Sequence, residues 1–321
     1  MVMMIMTHYL NMVMVSPIKT RHMEKLLLVD IGGTNMRHAV ITDKSNEISN
    51  ISKSPFIGNT FDIQLEELLK KDNIKTLIIS VAGPKIKNTI TMTNRDYTFD
   101  ANKIKEKFSL KNCYLLNDWE AIAHSYSFIS NNIESLKQGK SFNNNILFLG
   151  PGTGLGAALS IDNKIVIPTE IGNTSNSSSR LHQNYNIEIE KDTSLENVLS
   201  GSAISAIYKK KIGIDLSSED IFKKFLEKDQ IAEEVINGFI KSLADVLSDL
   251  SLTFIPGDGV LLAGSLIRTI HPFINKEDFK KRFIGNKKGA HKNILEMISI
   301  GVITKERTPL YGNLGFYKKL T

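Results

Sequence analysis

Lys25-Leu-Leu-Leu-Val-Asp30-Ile-Gly-Gly-Thr-Asn35-Met-Arg-His-Ala-Val-Ile-Thr42 is the stretch whose reading decides the fold. An apolar run ends at Val29, a glycine turn spans Asp30 to Asn35, and alternating β character returns from Met36 to Thr42, which gives strand, turn, strand. The chain repeats this 120 residues later: Ile146-Leu-Phe-Leu149, then Gly150-Pro-Gly-Thr-Gly-Leu-Gly156, then Ala157-Ala-Leu-Ser-Ile161, with Asp162-Asn-Lys164 turning into Ile165-Val-Ile167. Asp30 overlays Gly150, Gly32 overlays Gly152, and the apolar positions 39 and 41 fall on 159 and 161. An internal repeat of this kind predicts an α/β chain with one copy in each of two domains.

Gly152, Gly154 and Ala157 also satisfy the dinucleotide-binding pattern G-x-G-x-x-A. That fold needs a helix directly after the glycines, and here the chain continues into a hairpin, which argues against it. No G-x-x-x-x-G-K-[ST] is present, so a P-loop is excluded. Two hairpins with glycine-rich tips still suit phosphate, because backbone N–H groups converge on the anion without a Cβ in the way. Asp30 cannot bind phosphate directly. It fits a Mg²⁺ ion held through water between carboxylate and phosphate, and the plainer reading is a turn-capping residue.

Composition bounds the rest. Three hundred and twenty-one residues, 41% hydrophobic and 23% charged, suit two globular domains. The lone Cys113 rules out a disulfide framework or a thiolate zinc site. A net charge of +6 and a pI near 9.1 fit an anionic ligand. The densest basic patch, Lys276, Lys280, Lys281, Arg282, Lys287 and Lys288, carries no stacking aromatics in a nucleic-acid pattern. Residues 1–22 are apolar and Met-rich, but too broken for a membrane span and without a basic leader region. They read as an extension or a translation start set too early, with Met23 the better start. No nucleic-acid or membrane partner is expected.

Asp30-Ile-Gly-Gly-Thr-Asn-Met-Arg37, Thr91-Met-Thr-Asn94, Leu116-Asn-Asp118 and Gly150-Pro-Gly-Thr-Gly-Leu-Gly156 stand in the order and spacing of the bacterial-type glucokinase family, which the chain resembles from about Met23 to its carboxyl end. That family belongs to the hexokinase, actin and sugar-kinase superfamily. The resemblance implies an α/β fold of two actin-like (ribonuclease H-like) domains with a nucleotide and sugar cleft between them. It also implies ATP and Mg²⁺ as cofactors, phosphorylation of the 6-hydroxyl of D-glucose, a cytoplasmic location and a tendency to homodimers. The expected domains are residues 23–128, joined by a returning carboxyl-terminal helix at about 306–321, and residues 129–305. The stretch Ser125 to Gly139 reads as a polar linker.

The residues agree with that reaction. Asp118 follows the β-like run Cys113-Tyr-Leu-Leu116 and precedes the helical run Trp119 to Tyr126, at a strand's carboxyl end, where ligands of open α/β sheets bind. A carboxylate there can take a hydroxyl proton during phosphoryl transfer; capping the helix is the competing role. By resemblance, Asp30, Ile31, Gly32, Gly33, Thr34 and Asn35 would face the nucleotide, with Gly152, Thr153 and Gly154 opposite and Gly264 near the adenosine. Asn94, Asn117, Asp118, Glu170 and Glu196 would bind the sugar. Where the family has histidine this chain has Asn173, and Ile171 replaces a glycine. Asn173 reads as a tolerated swap, as altered hydroxyl recognition, or as part of the polar run Thr174 to Ser179. Beyond glucose, the open alternatives are another hexose or an amino sugar, and a sugar-sensing regulator. The regulator would need a helix-turn-helix before Asp30, and none is evident.

Overall fold

The protein is described by a computed structural model over residues 23–93, 95–175, 178–188 and 193–321; the expected extension 1–22 lies outside the described residues. The first glycine turn joins β1 (Lys25–Ile31) to β2 (Asn35–Thr42), which pair antiparallel. β3 (Ser52–Pro55) adds to the outer edge, and after α1 (Gly58–Lys71) the chain enters β4 (Thr76–Val81), parallel to β1. A small meander of β5 (Lys85–Ile86), β6 (Thr89–Thr91) and β7 (Thr98–Asp100) leads to α2 (Ala101–Lys107) and then β8 (Asn112–Asn117). The resulting sheet has the order β3-β2-β1-β4-β8. α3 (Asp118–His124) starts directly at the end of β8.

β1 reads as an unbroken apolar run because both of its faces are covered. Leu27 and Val29 join Phe61, Leu65 and Ile104 in one core, whereas Leu26 and Leu28, on the opposite face, join a second.

The second half of the chain builds the same unit. Its strands are β9 (Ile133–Lys137), β10 (Ile146–Pro151), β11 (Leu155–Ile161), β12 (Ile165–Thr169), β13 (Gly259–Leu262) and β14 (Ile300–Ile303), in the order β12-β11-β10-β13-β14-β9. β10 pairs antiparallel with β11 and parallel with β13, as β1 does with β2 and β4. The repeat is therefore real, with one correction to its alignment. Ile31 pairs with Met36, but Pro151 pairs with Leu155, so the second turn is one residue shorter. Ala39 and Ile41 consequently correspond to Ala158 and Ser160, not to 159 and 161.

Behind this sheet pack α4 (Gly201–Ile212), α5 (Gln230–Phe254) and α6 (Ser265–Ile270). α5 is the helix predicted from the four-residue spacing of Ile231, Val235, Phe239, Leu243 and Leu247, of which the last four are fully buried. Asp229 caps it, accepting from Ala232 N at 2.8 Å. The stretch 125–139 is not a linker. A helical turn at Tyr126–Ile129 and strand β9 occupy it, with Ile129 and Leu136 buried. Lys137 is buried, with Nζ donating to the carbonyls of Gln138, Glu296 and Ile298 at 3.1, 3.0 and 2.6 Å.

The chain finally returns as α7 (Thr308–Leu320) to cover the open face of the first sheet, where Leu310, Leu314 and Tyr317 pack on Leu26, Leu28 and Ile78. Burial of such side chains stabilises by roughly 1.5–3 kcal/mol each. The helix already begins at Thr308 and contains Pro309 to Gly315. Its glycines are functional in packing: a Cβ at Gly312 would overlap the carbonyl of Ala121, and one at Gly315 the carbonyl of His124. α3 is thus pressed against α7 on one side. On the other, Ile122 and Ala123 pack with Phe148, Ala158 and Leu261 of the second sheet. Gly312→Val is expected to cost about 1–3 kcal/mol by overpacking this contact, measured as a lower urea midpoint with an unchanged m-value.

Candidate active site

The turn from β8 into α3 carries the expected pair Asn117 and Asp118. Asn117, not Asp118, caps the helix: its Oδ1 accepts from Trp119 N at 2.9 Å and Glu120 N at 3.2 Å. Glu120 closes a capping box by accepting from Asn117 N at 3.1 Å. Lys85 Nζ donates to both Glu120 oxygens at 3.0 and 2.9 Å, and Asn117 Nδ2 donates to Gly83 O at 2.9 Å. With the cap supplied by Asn117, the Asp118 carboxylate accepts from Trp119 N at 3.0 Å. Desolvation first, then the charges of Asp30 and Glu170, push its pKa up to about 7.

Asp30 ends up at the inner edge of the first glycine turn, 5% exposed. Arg37 Nη1 donates to it at 3.3 Å and Ser80 Oγ at 3.3 Å. Burial still outweighs both and raises its pKa, so the carboxylate would gain from a further cation. Among the described residues no group of three or more His, Cys, Asp and Glu could hold a metal. A buried carboxylate beside a glycine turn fits Mg²⁺ brought in with phosphate oxygens and its own water, and not a resident metal cage. The turn itself, Gly32-Gly33-Thr34, is fastened by Gly32 N to Asn35 O at 3.0 Å and by Phe56 N to Thr34 O at 3.0 Å. Arg95 adds a clasp, donating to Gly33 O at 2.6 Å and Phe56 O at 3.1 Å.

The second turn presents Gly152 and Thr153 to solvent. Gly152 N donates to Gly154 O at 2.7 Å, and Gly201 N, at the start of α4, donates to Gly152 O at 2.7 Å. Glu196 lies against this turn, its Oε2 accepting from Leu155 N at 3.4 Å. Gly264 follows β13 beside the carbonyl of Pro151. The nucleotide candidates of the second half therefore converge on one strand end.

Glu170 and Asn173 stand at the end of β12 and line a cavity of about 340 Å³, opposite Pro84, Thr91, Met92 and Thr93 of the first half. Asn173 hydrogen-bonds Glu170, which offsets part of the rise that desolvation and the nearby Glu196 impose on the Glu170 carboxyl. Asn173 is thus on the cavity wall and touches the residue expected to read the sugar. Asn94 lies outside the described residues.

A family model described as Glucokinase matches residues 27–319. The chain belongs to the glucokinase family. The glucokinase of Colwellia psychrerythraea is 27% identical over 92% of this chain and 96% of its own, and that of Saccharophagus degradans 25% over 92% and 98%. A solved glucokinase structure from an Antarctic psychrotroph superposes with a TM-score of 0.75 at 25% identity, covering 91% of this chain and 98% of that one. The two-domain actin-like fold of the sugar kinases is accordingly that of this glucokinase-family chain.

Several residues of the site escaped sequence reasoning. Glu120, three places after Asn117, was legible as a capping box; Lys85, Arg95 and Ser80 act on partners far away in sequence and carry no local signal, whereas Arg37 stands opposite Asp30 in the same hairpin. Asp118 also yields a stability prediction for this glucokinase-family protein. Its folded pKa lies above the unfolded value, so the stability it contributes is complete at low pH and is lost as pH rises through about 7. Asp118→Asn should therefore melt higher than the parent at pH 8, and the gap should close towards pH 4.

Proposed function

We propose that the protein is an ATP-dependent glucokinase that transfers the γ-phosphoryl group of Mg-ATP to the 6-hydroxyl of D-glucose, with Asp118 as general base. The observation that carries this reading is the Asp118 carboxylate. It is released from capping by Asn117 and has its pKa raised to about 7 by burial and by the nearby charges of Asp30, beside the first glycine turn, and of Glu170, which lines the cavity. The sugar hydroxyl donates its proton to Asp118 as its oxygen attacks the γ-phosphorus, the bond to the β-phosphate oxygen breaks, and ADP leaves. A base with a pKa near the working pH combines adequate availability with adequate driving force.

Gly32 N and Gly152 N close the two turns onto Asn35 O and Gly154 O, so the N–H groups of Gly33, Thr34, Thr153 and Gly154 are the ones turned to the phosphates, and Gly264 lies on the adenosine side. Asp30 binds the hydrated Mg²⁺ that accompanies the nucleotide and neutralises phosphate charge. Glu170 and Glu196 accept from sugar hydroxyls, and the spare amide hydrogen of Asn117, with Asn94, completes the polar set. The lobes divide near residue 128, residues 306–321 return to the first, and the enzyme works in the cytoplasm. Among the described residues no helix is long and apolar enough to cross a membrane.

In a coupled ADP assay, purified protein with glucose and Mg-ATP should form glucose 6-phosphate, and absence of turnover with any hexose would sink the proposal. Asp118→Ala should lower kcat by about 10²–10⁴ while nucleotide still binds. Asn173 favours a second reading, recognition of another hexose or an amino sugar, because an amide in place of imidazole reaches less far and meets a different hydroxyl. Asn173→His should then raise the kcat/KM ratio of glucose over its rivals in a panel of hexoses and amino sugars; an unchanged ratio removes Asn173 from specificity.

A further inference from the structure

Trp119 is the only tryptophan of the chain and follows Asp118 directly. Its backbone belongs to the first lobe, and its N–H is shared by Asn117 Oδ1 at 2.9 Å and Asp118 Oδ1 at 3.0 Å. Its indole belongs to the second, where it packs in the cluster formed by Phe148, Ala158 and Leu261. Gly150 and Gly156 face each other across β10 and β11, immediately behind the tip Gly152-Thr153-Gly154. A Cβ at Gly156 would overlap Nε1 and Cδ1 of the indole, and a Cβ at Gly150 would overlap Cη2 as well as the carbonyl of Ala263. Neither glycine has a positive φ. For Gly156 the backbone does not demand glycine; the indole in contact with it does.

One residue therefore holds the Asp118 carboxylate through its N–H and the stem of the second glycine turn through its ring. We infer that Trp119 is a positioning residue that fixes the distance between the proton acceptor and the turn that grips the nucleotide. The inference rests on the kinase reading above. Phosphoryl transfer depends on in-line placement of acceptor and phosphate, and a misplacement of about 1 Å costs on the order of 10² in rate. A ring wedged between the two elements supplies that constraint across the interface between lobes.

The test uses the full chain as Trp119→Ala, Trp119→Phe, Gly156→Ala and the double variant Trp119→Ala/Gly156→Ala, each with a thermal melt to confirm folding. Trp119→Ala should lower kcat/KM for ATP by about 10² while KM for glucose stays within about twofold. Trp119→Phe, which keeps a ring, should recover most of the loss. Gly156→Ala should reproduce the defect alone but add little in the Trp119→Ala background, because both changes break one contact. A folded Trp119→Ala protein with parental kinetics overturns the inference, as does a Gly156→Ala loss that adds in full. Failure of the parent to phosphorylate any hexose would instead count against the kinase reading. The coupling would then be judged by tryptophan emission on saturation with Mg-AMPPNP: a shift supports it, an unchanged spectrum overturns it.

Discussion

Everything in the cleft depends on how α3 is held. This seven-residue helix is clamped between α7, whose glycines admit the carbonyls of Ala121 and His124, and the second sheet, whose Phe148 and Ala158 receive Ile122 and Ala123. A helix so short has little stability of its own. Its capping box, its ion-paired Glu120 and its packing on two sides replace what length would otherwise provide. Because Asp118 is its first residue, the position of the carboxylate is set by both halves of the chain at once.

The cleft so formed is electrostatically unfinished. Asp30 and Asp118 are driven upward in pKa by burial, Glu170 likewise, and Asp30 and Glu170 both repel Asp118. Among the described residues Arg37 is the one cation that hydrogen-bonds Asp30, and it does not offset the desolvation. Such an arrangement destabilises the ligand-free protein and favours binding of groups that donate hydrogen bonds or carry positive charge. Sugar hydroxyls and a divalent ion riding on phosphate are ligands of that kind.

Much of this was legible in the residues. Glycines placed between a buried apolar run and an alternating one announced both hairpins, and the absence of a helical period after Gly156 separated them from a dinucleotide fold. The site pair Asn117 and Asp118 was legible as strand end followed by helix. Assigning the cap was not, since either side chain can serve and only the observed geometry gives it to Asn117. Register beyond the second turn slipped by one because turn length is not encoded in hydrophobic alternation. The stretch 125–139 was misread as a linker because polar residues normally mark solvent, whereas Lys137 satisfies three carbonyls inside the fold. Trp119 and the two glycines beneath it are separated by thirty residues or more in sequence, and their fit exists only in three dimensions.

The return of α7 bears on biosynthesis. Leu26, Leu28 and Ile78 lie under Leu310, Leu314 and Tyr317, and Asn313 Nδ2 donates to Val29 O at 2.8 Å. The first sheet is complete at Asn117, about 190 residues before the helix that seals it begins at Thr308, and until then one of its apolar faces is open to water. The second sheet draws its core from the segment between Trp119 and Ile303 and can close first. The lobe made earliest is therefore the last to mature, and it is the half of the molecule with most need of a chaperone during translation.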